Sequence, residues 1–351
     1  MELNRNRATG FFERRVGLGL INFVSDSSPL IVACSGGPDS SAALIAVVRV
    51  RERAGGGEVV AATFDHGLRP QVENDADIEF VQTLAGKMGV RSVVGKATEG
   101  FGTSEAAARK ARYIWLGRVA LEMSARACVS GHTLNDQAET VLLRLARGTG
   151  LTGASSMTND APWPFTLSGS TAGCDLPSLR LLRPLLNLRR QEIEEYLDAL
   201  GLDAEGLNPR LDLSNETLEF SRNRVRHRVL PELRRLNPRV EEALAGFARR
   251  ARRDDLALEA WAEAEWERLV YVGRSEVVID RHSLYELPQA VAMRILRRAG
   301  KQLGLALDSS QLEALWNASS TSGVKLKLAG GAAFTDATDL RFLRYVSALV
   351  D

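Results

Sequence analysis

Leu30-Ile31-Val32-Ala33-Cys34-Ser35-Gly36-Gly37-Pro38-Asp39-Ser40-Ser41 decides how this chain is read. An apolar run of β-formers ends in a Ser-Gly-Gly turn, and Ala42-Ala43-Leu44-Ile45-Ala46-Val47-Val48 continues at once as a helix. Strand, glycine loop and helix in that order aim backbone N–H groups and a helix N-terminus at one point, which makes an anion site. Gly36 and Gly37 let the backbone approach a phosphate closely. Pro38 suits an early helical position, where no N–H is needed. Ser35, Ser40 and Ser41 offer hydroxyl donors. Asp39 is the odd member, because a carboxylate beside a phosphate repels it unless a cation lies between. That combination points to Mg²⁺. The loop lacks the Gly-Lys-Ser/Thr ending of a Walker A motif and is not G-x-G-x-x-G.

Outward from this loop, apolar runs alternate with helical patterns. Strands are expected at Glu58–Phe64, Arg91–Val94 and Ala127–Gly131, with helices over 73–88, 104–126 and Leu134–Arg147. Such alternation builds βαβ units and a mainly parallel sheet covered on both faces. Ligands of these sheets bind at the carboxyl ends of the strands, near a switch in strand order. Three polar loops fall at those ends: Ser35–Ser40, Asp65-His66-Gly67-Leu68-Arg69 and His132–Asp136. Residues 148–178 are rich in Gly, Ser, Thr and Pro and are expected as an irregular loop. Leu179–Leu186 then looks like an edge strand running into Pro184, followed by a helix from Arg189 to Leu200 that Gly201 ends.

The character changes after Leu207. Ser221-Arg222-Asn223-Arg224-Val225-Arg226-His227-Arg228 opens a helix, and a second runs from about Pro238 to Val270 with Arg249, Arg250, Arg252 and Arg253 clustered. Arginines at spacing two cannot share one helix face, so some of Arg222, Arg224, Arg226 and Arg228 must turn toward the body or a ligand. The remainder reads as a small α+β unit: a strand at Ser275–Asp280, helices over 286–303 and 308–317, and strands near Val324–Leu328 and Leu340–Val346. The expected organisation is a Rossmann-like nucleotide-binding domain over 1–206, an Arg-rich helical segment over 207–272 and the α+β unit over 273–351.

Composition sets the outer bounds. The 351 residues carry a net charge of +1, so no global field argues for nucleic acid. Cys34, Cys128 and Cys174 are widely spaced and form no C-x-x-C, which suits a reducing, cytoplasmic setting and no disulfide framework. The opening stretch, with Glu13, Arg14 and Arg15 before Val16–Val24, is expected as an amphipathic helix rather than a signal peptide. No stretch has the length of a membrane span, so no membrane partner is expected. The sequence leaves monomer and homodimer both open.

The Ser-Gly-Gly-Pro-Asp-Ser loop resembles that of the N-type ATP pyrophosphatases, the PP-loop superfamily with an adenine nucleotide alpha hydrolase-like fold. Further blocks carry the likeness onward: Asp65-His66-Gly67-Leu68-Arg69, Ala107-Ala108-Arg109-Lys110-Ala111-Arg112-Tyr113, His132-Thr133-Leu134-Asn135-Asp136-Gln137-Ala138-Glu139-Thr140, Arg147-Gly148-Thr149-Gly150, and Arg183-Pro184-Leu185-Leu186. Asp212-Leu213-Ser214-Asn215 with Arg222-Asn223-Arg224-Val225-Arg226 completes the series. Together, from about Leu30 to Leu236, they resemble the tRNA(Ile)-lysidine synthetases.

That resemblance implies a two-step ligation. ATP adenylates O2 of the wobble cytidine (C34) of a CAU anticodon in tRNA(Ile), releasing pyrophosphate. The ε-amine of free L-lysine then attacks C2 and expels AMP. On this basis Ser35, Gly36, Gly37, Pro38, Asp39, Ser40 and Ser41 are expected to bind ATP, and Asp39 and Asp136 to hold Mg²⁺. Arg109 and Arg112 would offset charge at the α-phosphate, with His132 as candidate base. Asp65, His66 and Gly67 would line an adenosine or lysine pocket. Arg222, Asn223, Arg224 and Arg226 would contact tRNA or nucleotide. The chain departs from the family where paired acids and paired histidines are common: it has Asn135-Asp136 and His132-Thr133.

Two other classes compete. A PP-loop tRNA thiolase would want paired cysteines, whereas Cys34 and Cys128 fall in separate expected strands. A non-catalytic nucleotide- or RNA-binding module would not need both Asp39 and Asp136.

Overall fold

The computed structural model describes residues 3–67, 70–97, 104–165, 179–210 and 221–345. Leu68-Arg69, Cys174, the rest of 166–178 and Asp212–Asn215 lie outside the described residues. The chain divides into two compact units, Met1–Ala248 and Arg249–Asp351.

The first unit is built on a six-stranded sheet. Its strands are β1 (Leu30–Ala33), β2 (Val59–Asp65), β3 (Arg91–Lys96), β4 (Ala127–Val129), β5 (Asp160–Pro162) and β6 (Arg180–Leu182), in the order β3-β2-β1-β4-β6-β5. All neighbours are parallel except β5, which runs antiparallel to β6. The chain winds outward from β1 to β3 and then returns to β4 on the other side of β1. That reversal between β1 and β4 opens the crevice in which such sheets hold ligands.

Leu30 and Val32 of β1 are buried in one apolar cluster while Ile31 is buried in another. This alternation puts a core on each face of the sheet, as expected for a strand covered on both sides. The first face is covered by α1 (Arg7–Gly19), α2 (Pro38–Ala54), α3 (Gln71–Lys87) and α7 (Arg190–Leu200), and the second by α4 (Glu105–Glu122). Two further helices follow β4, α5 (Leu134–Ala146) and α6 (Leu151–Ala154).

The opening segment is helical, as expected, and is anchored through Glu13. This buried carboxylate accepts from Arg49 (3.0 Å), Arg53 (2.5 Å) and Tyr196 (3.2 Å).

Two expectations are corrected. The segment 148–178, expected as wholly irregular, contains α6 and β5. The strand through Leu181 is not an edge strand, since β6 pairs with β4 on one side and β5 on the other. Pro162 belongs to the true edge, β5, where a missing N–H leaves no ladder bond unmade.

Beyond residue 220 the chain forms α8 (Ser221–Arg224), a single π-helical turn at Val225–Val229 and α9 (Leu230–Leu236), all packed in the first unit. Val225 and Leu230 share a small apolar cluster with Ala138 of α5. The long α10 (Val240–Leu269) follows.

The second unit carries β7 (Val270–Val272), β8 (Glu276–Asp280), α11 (Arg281–Glu286), α12 (Gln289–Gln302), α13 (Ser309–Ser319), β9 (Lys325–Leu328), β10 (Gly331–Thr335) and β11 (Asp339–Arg344). Its antiparallel sheet has the order β7-β8-β11-β10-β9. One face packs on the helices through Val277, Ile279, Phe342, Ile295 and Leu315. The α+β character matches the expectation, with β7 and β10 as strands the sequence did not reveal.

Candidate active site

A cavity of about 630 Å³ opens at the carboxyl ends of β1, β2 and β4. Each wall grows from a local structural device.

The first wall is the turn after β1. Gly36 has φ +85, a conformation that disfavours any residue with a Cβ. Pro38 then starts α2 with Gly37 as its cap. Ser40 Oγ donates to the Gly37 carbonyl at 3.0 Å and accepts from the Ser35 N–H at 3.1 Å. Ser40 is therefore the loop's internal brace, and the loop is preformed. Ser35, Gly37, Pro38, Asp39 and Ser40 all reach the cavity.

The second wall is the turn after β4. A Cβ on Gly131 would lie 3.0 Å from the backbone of Asp39, so glycine lets this turn pack tightly against the start of α2. Thr133 caps α5, and Asp136 closes the capping box. Asp136 Oδ2 accepts from the Thr133 N–H at 2.8 Å and from its hydroxyl at 2.9 Å. Its Oδ1 accepts from Arg222 at 2.7 Å. One turn on, Glu139 is buried and accepts from Arg222 at 2.7 Å and from Arg226 at 2.6 Å. Residues 136 and 139 share one helix face, and 222 and 226 share another. The Arg-rich helix is thus locked onto α5 by its own carboxylates.

The two acids are shifted in opposite directions. Burial and the Asp136 carboxylate push Asp39 up to about 6, against Arg190 and Arg226. Asp39 Oδ1 is buried with no hydrogen-bond partner among the described residues. Burial opposes ionisation of Asp136 too, but Arg222 and the hydrogen bonds from Thr133 hold it below the usual carboxylate range. Among the described residues no group of three His, Cys, Asp or Glu side chains could enclose a metal. Two carboxylates, one with an oxygen to spare, fit a hard cation that takes its other ligands from phosphate and water.

His132 Nδ1 lies 2.7 Å from Ser130 Oγ. Burial, together with Arg109, Arg183 and Arg222, holds this imidazole well below its usual range despite the pull of Asp136. A lowered, buried imidazole is neutral and a weak proton acceptor.

The third wall is the end of β2. Asp65 is buried, accepts from the Gly67 N–H at 2.8 Å and pairs with Lys96 at 3.6 Å. Asp65 and His66 line the cavity, as do Arg109 and Arg112 from α4.

Among the described residues, Gly36, Ser41, Gly67 and Arg224 do not reach the cavity wall. Ser41 is fully buried behind the loop, and Arg224 is exposed and donates to Ser221 Oγ at 3.3 Å. Arg222, Asn223 and Arg226 do reach it.

Several residues of the site were missed from sequence. Arg190 faces Asp39, and Asn74, Asp77 and Arg210 line the cavity. Arg210 donates to Asp77 at 2.6 Å, and its N–H donates to the Gly36 carbonyl at 2.9 Å. The one available signal was Asn74 and Asp77 lying three apart on the face of α3 that also carries buried Val81 and Leu84.

The two described cysteines, Cys34 and Cys128, are buried, and burial raises both thiols.

The profile of the PP-loop domain family matches residues 11–233. The tRNA(Ile)-lysidine synthase of Thermobifida fusca is 38% identical over 288 residues, covering 79% of this chain and 78% of that protein. That of Methylobacterium nodulans is 36% identical, with 77% and 74% covered. The chain spans only 50% of the Thermus thermophilus enzyme, which is 37% identical. Among solved structures, the U34-tRNA thiolase NcsA from Methanococcus maripaludis, with its [4Fe-4S] cluster, superimposes with a TM-score of 0.55 over 70% of this chain and 79% of that one, at 14% identity. That likeness shows the fold alone.

Proposed function

Because the chain belongs to the tRNA(Ile)-lysidine synthase family of PP-loop proteins, we propose that its cavity carries out that ligation. ATP activates O2 of the wobble cytidine of a CAU anticodon, and the ε-amine of free lysine displaces AMP at C2. The observation that carries this is the carboxylate of Asp39. It is buried beside a phosphate-shaped turn, raised to about 6 and left with one oxygen unpartnered among the described residues.

The residues divide the work. The turn at Ser35–Ser40 and the N-terminus of α2 receive the triphosphate through backbone N–H groups. Asp39 and Asp136 would hold Mg²⁺, which when bound screens the phosphates and favours departure of pyrophosphate. Arg109 and Arg112 supply positive charge where the α-phosphate gathers negative charge. His132, kept neutral, hydrogen-bonds rather than takes the lysine proton. Asp65 and His66 form the wall against which adenosine or lysine rests. Arg222 and Arg226 keep their helix on α5, Asn223 lines the cavity beside them, and exposed Arg224 is left for the RNA. The target cytidine must leave its stack to enter.

No helix of the described residues is long and apolar enough to cross a membrane. We place the enzyme with its tRNA in the cytoplasm. The thiolase alternative gains nothing from Cys34 and Cys128, since raised, buried thiols are poor nucleophiles and poor ligands.

The test supplies ATP, Mg²⁺, labelled lysine and tRNA(Ile) bearing CAU. Label should enter the RNA, with AMP and pyrophosphate released. Chelation of Mg²⁺ should stop pyrophosphate release and leave tRNA binding intact. Absence of label in the RNA with an intact, folded protein would reject the assignment.

A further inference from the structure

Tyr113 is 3% exposed, lines the cavity and sits on the same helix as Arg109 and Arg112. Both guanidinium groups lean on its ring: Arg109 Cζ is 5.1 Å from the centroid and Arg112 Cζ is 5.6 Å away. Arg109 Nη2 also donates to Tyr113 Oη at 3.3 Å. The ring is itself wedged. Trp163 meets it edge-on at 5.4 Å and 61°, and Phe165 lies at 5.8 Å. Trp163 follows β5, and the backbone leading into β5 is tied down from the other side of the site. Arg183 donates to the Thr158 carbonyl at 2.9 Å, and Gln137 donates to that of Met157 at 3.0 Å.

Two like charges one helical turn apart repel each other and would separate toward solvent if left alone. A buried aromatic face attracts both, because its quadrupole presents negative charge to a cation. We propose that Tyr113 is a positioning residue for the adenylation step. Its ring holds Arg109 and Arg112 together on the cavity wall, and Trp163 and Phe165 keep the ring from turning away. The ring does most of this, and the hydroxyl adds one bond to Arg109. The proposal rests on the ligation assigned above, since it gives the two arginines their task.

The experiment compares Tyr113→Phe, Tyr113→Leu, Arg109→Ala and the Tyr113→Leu/Arg109→Ala double variant. Pyrophosphate release is followed with ATP, Mg²⁺ and tRNA(Ile), lysine being withheld, and each protein is also melted thermally. Tyr113→Phe keeps the ring and should stay within about three-fold of wild type. Tyr113→Leu should lose roughly ten- to a hundred-fold in kcat, with KM for ATP changed less than about three-fold, as for an interaction that acts in the transition state. The double variant should lose less than the product of the two single losses, because Tyr113→Leu acts in part through Arg109 and the remainder is the release of Arg112.

Losses that multiply in the double variant would overturn the proposal. So would Phe and Leu variants that are equally slow, or a folded Tyr113→Leu at the wild-type rate. A wild-type protein that releases no pyrophosphate would instead reject the ligation itself, so the two failures are distinct.

Discussion

The strand ends that flank the switch point each carry one carboxylate, and the protein finishes only one of them. At the β4 end, Asp136 is fully dressed: Thr133 occupies one oxygen and Arg222 the other. At the β1 end, Asp39 keeps an oxygen without a partner among the described residues and pays for burial with a pKa near 6. The contrast separates two jobs that a sequence motif merges. Asp136 doubles as a scaffold element, joining the α5 cap to the Arg-rich helix. Asp39 holds stored electrostatic cost that a bound cation can relieve. An acid left with an open oxygen where ligand binds, beside one already tied into the scaffold, is a preorganised arrangement.

Asp39→Asn should break this asymmetry most strongly. Pyrophosphate release should fall by roughly 10²–10³-fold, the scale of losing one preorganised electrostatic group. The same change should stabilise the ligand-free protein. The folded-state pKa is raised from 3.8 to about 6, so the native state prefers the proton, and stability is lost as pH climbs through that window. At neutral pH the carboxylate then costs at most about 3 kcal/mol. Thermal melting at pH 7 should rise by a few degrees in the variant, and at pH 4 the two proteins should melt together. Full activity in Asp39→Asn, or a lower melting point at pH 7, would remove the distinction between the two strand ends.

Glu139→Ala attacks the finished side. Glu139 is 1% exposed, and its loss strands Arg222 and Arg226, whose side chains keep 28% and 25% exposure. Breaking one partner of a fully buried pair costs about 3–5 kcal/mol, and partial solvation of the arginines brings this to about 2–4. Hydrogen exchange should show the opening concentrated in α8 and α9, with β1 and α2 still protected. Equal loss of protection in both regions would mean that the clamp is not local.

The same contrast explains what could be read from sequence. The turn at Ser35–Ser40 and the polar loops after β2 and β4 follow from chemistry within about ten residues, where glycine, proline and capping rules act directly. The spacing of the arginines required only that some turn inward, without saying which; Arg222 and Arg226 do, while Arg224 and Arg228 are exposed. Arg190, Arg210 and Asp77 were not legible, because each enters the site through pairing across the fold rather than through local pattern. Glu139 stood in a quoted block, but its role depends on a partner 83 residues away. β5 was hidden inside a polar stretch because three residues at a sheet edge need little β propensity when a neighbour supplies the ladder.

Asp136→Asn tests whether the two ends communicate. Its charge is one of the causes raising Asp39, so neutralising it should lower the Asp39 pKa. An acid limb of ATP binding that sets in below about 6 in the wild type should move to lower pH in the variant. Titration of the Asp39 carboxyl resonance in ligand-free protein checks this without relying on catalysis. An unchanged pKa would leave desolvation and Glu194 to account for the shift without Asp136.

Arg224→Gln should do least, and its smallness is informative. Arg224 shares its short helix with Arg222 but points away from the cavity, and its only described contact with a side chain is Ser221. KM for ATP and the melting temperature should stay at wild-type values. If the outward face meets RNA phosphate, the slope of log affinity for tRNA against log salt should become shallower by about one. Arg222→Gln should instead disturb Asp136 and Glu139, raise KM for ATP and lower stability, because that guanidinium belongs to the scaffold. If both substitutions reduced only the salt slope, the inward and outward arginines would be interchangeable phosphate contacts, and the clamp on α5 would have no part in shaping the nucleotide site.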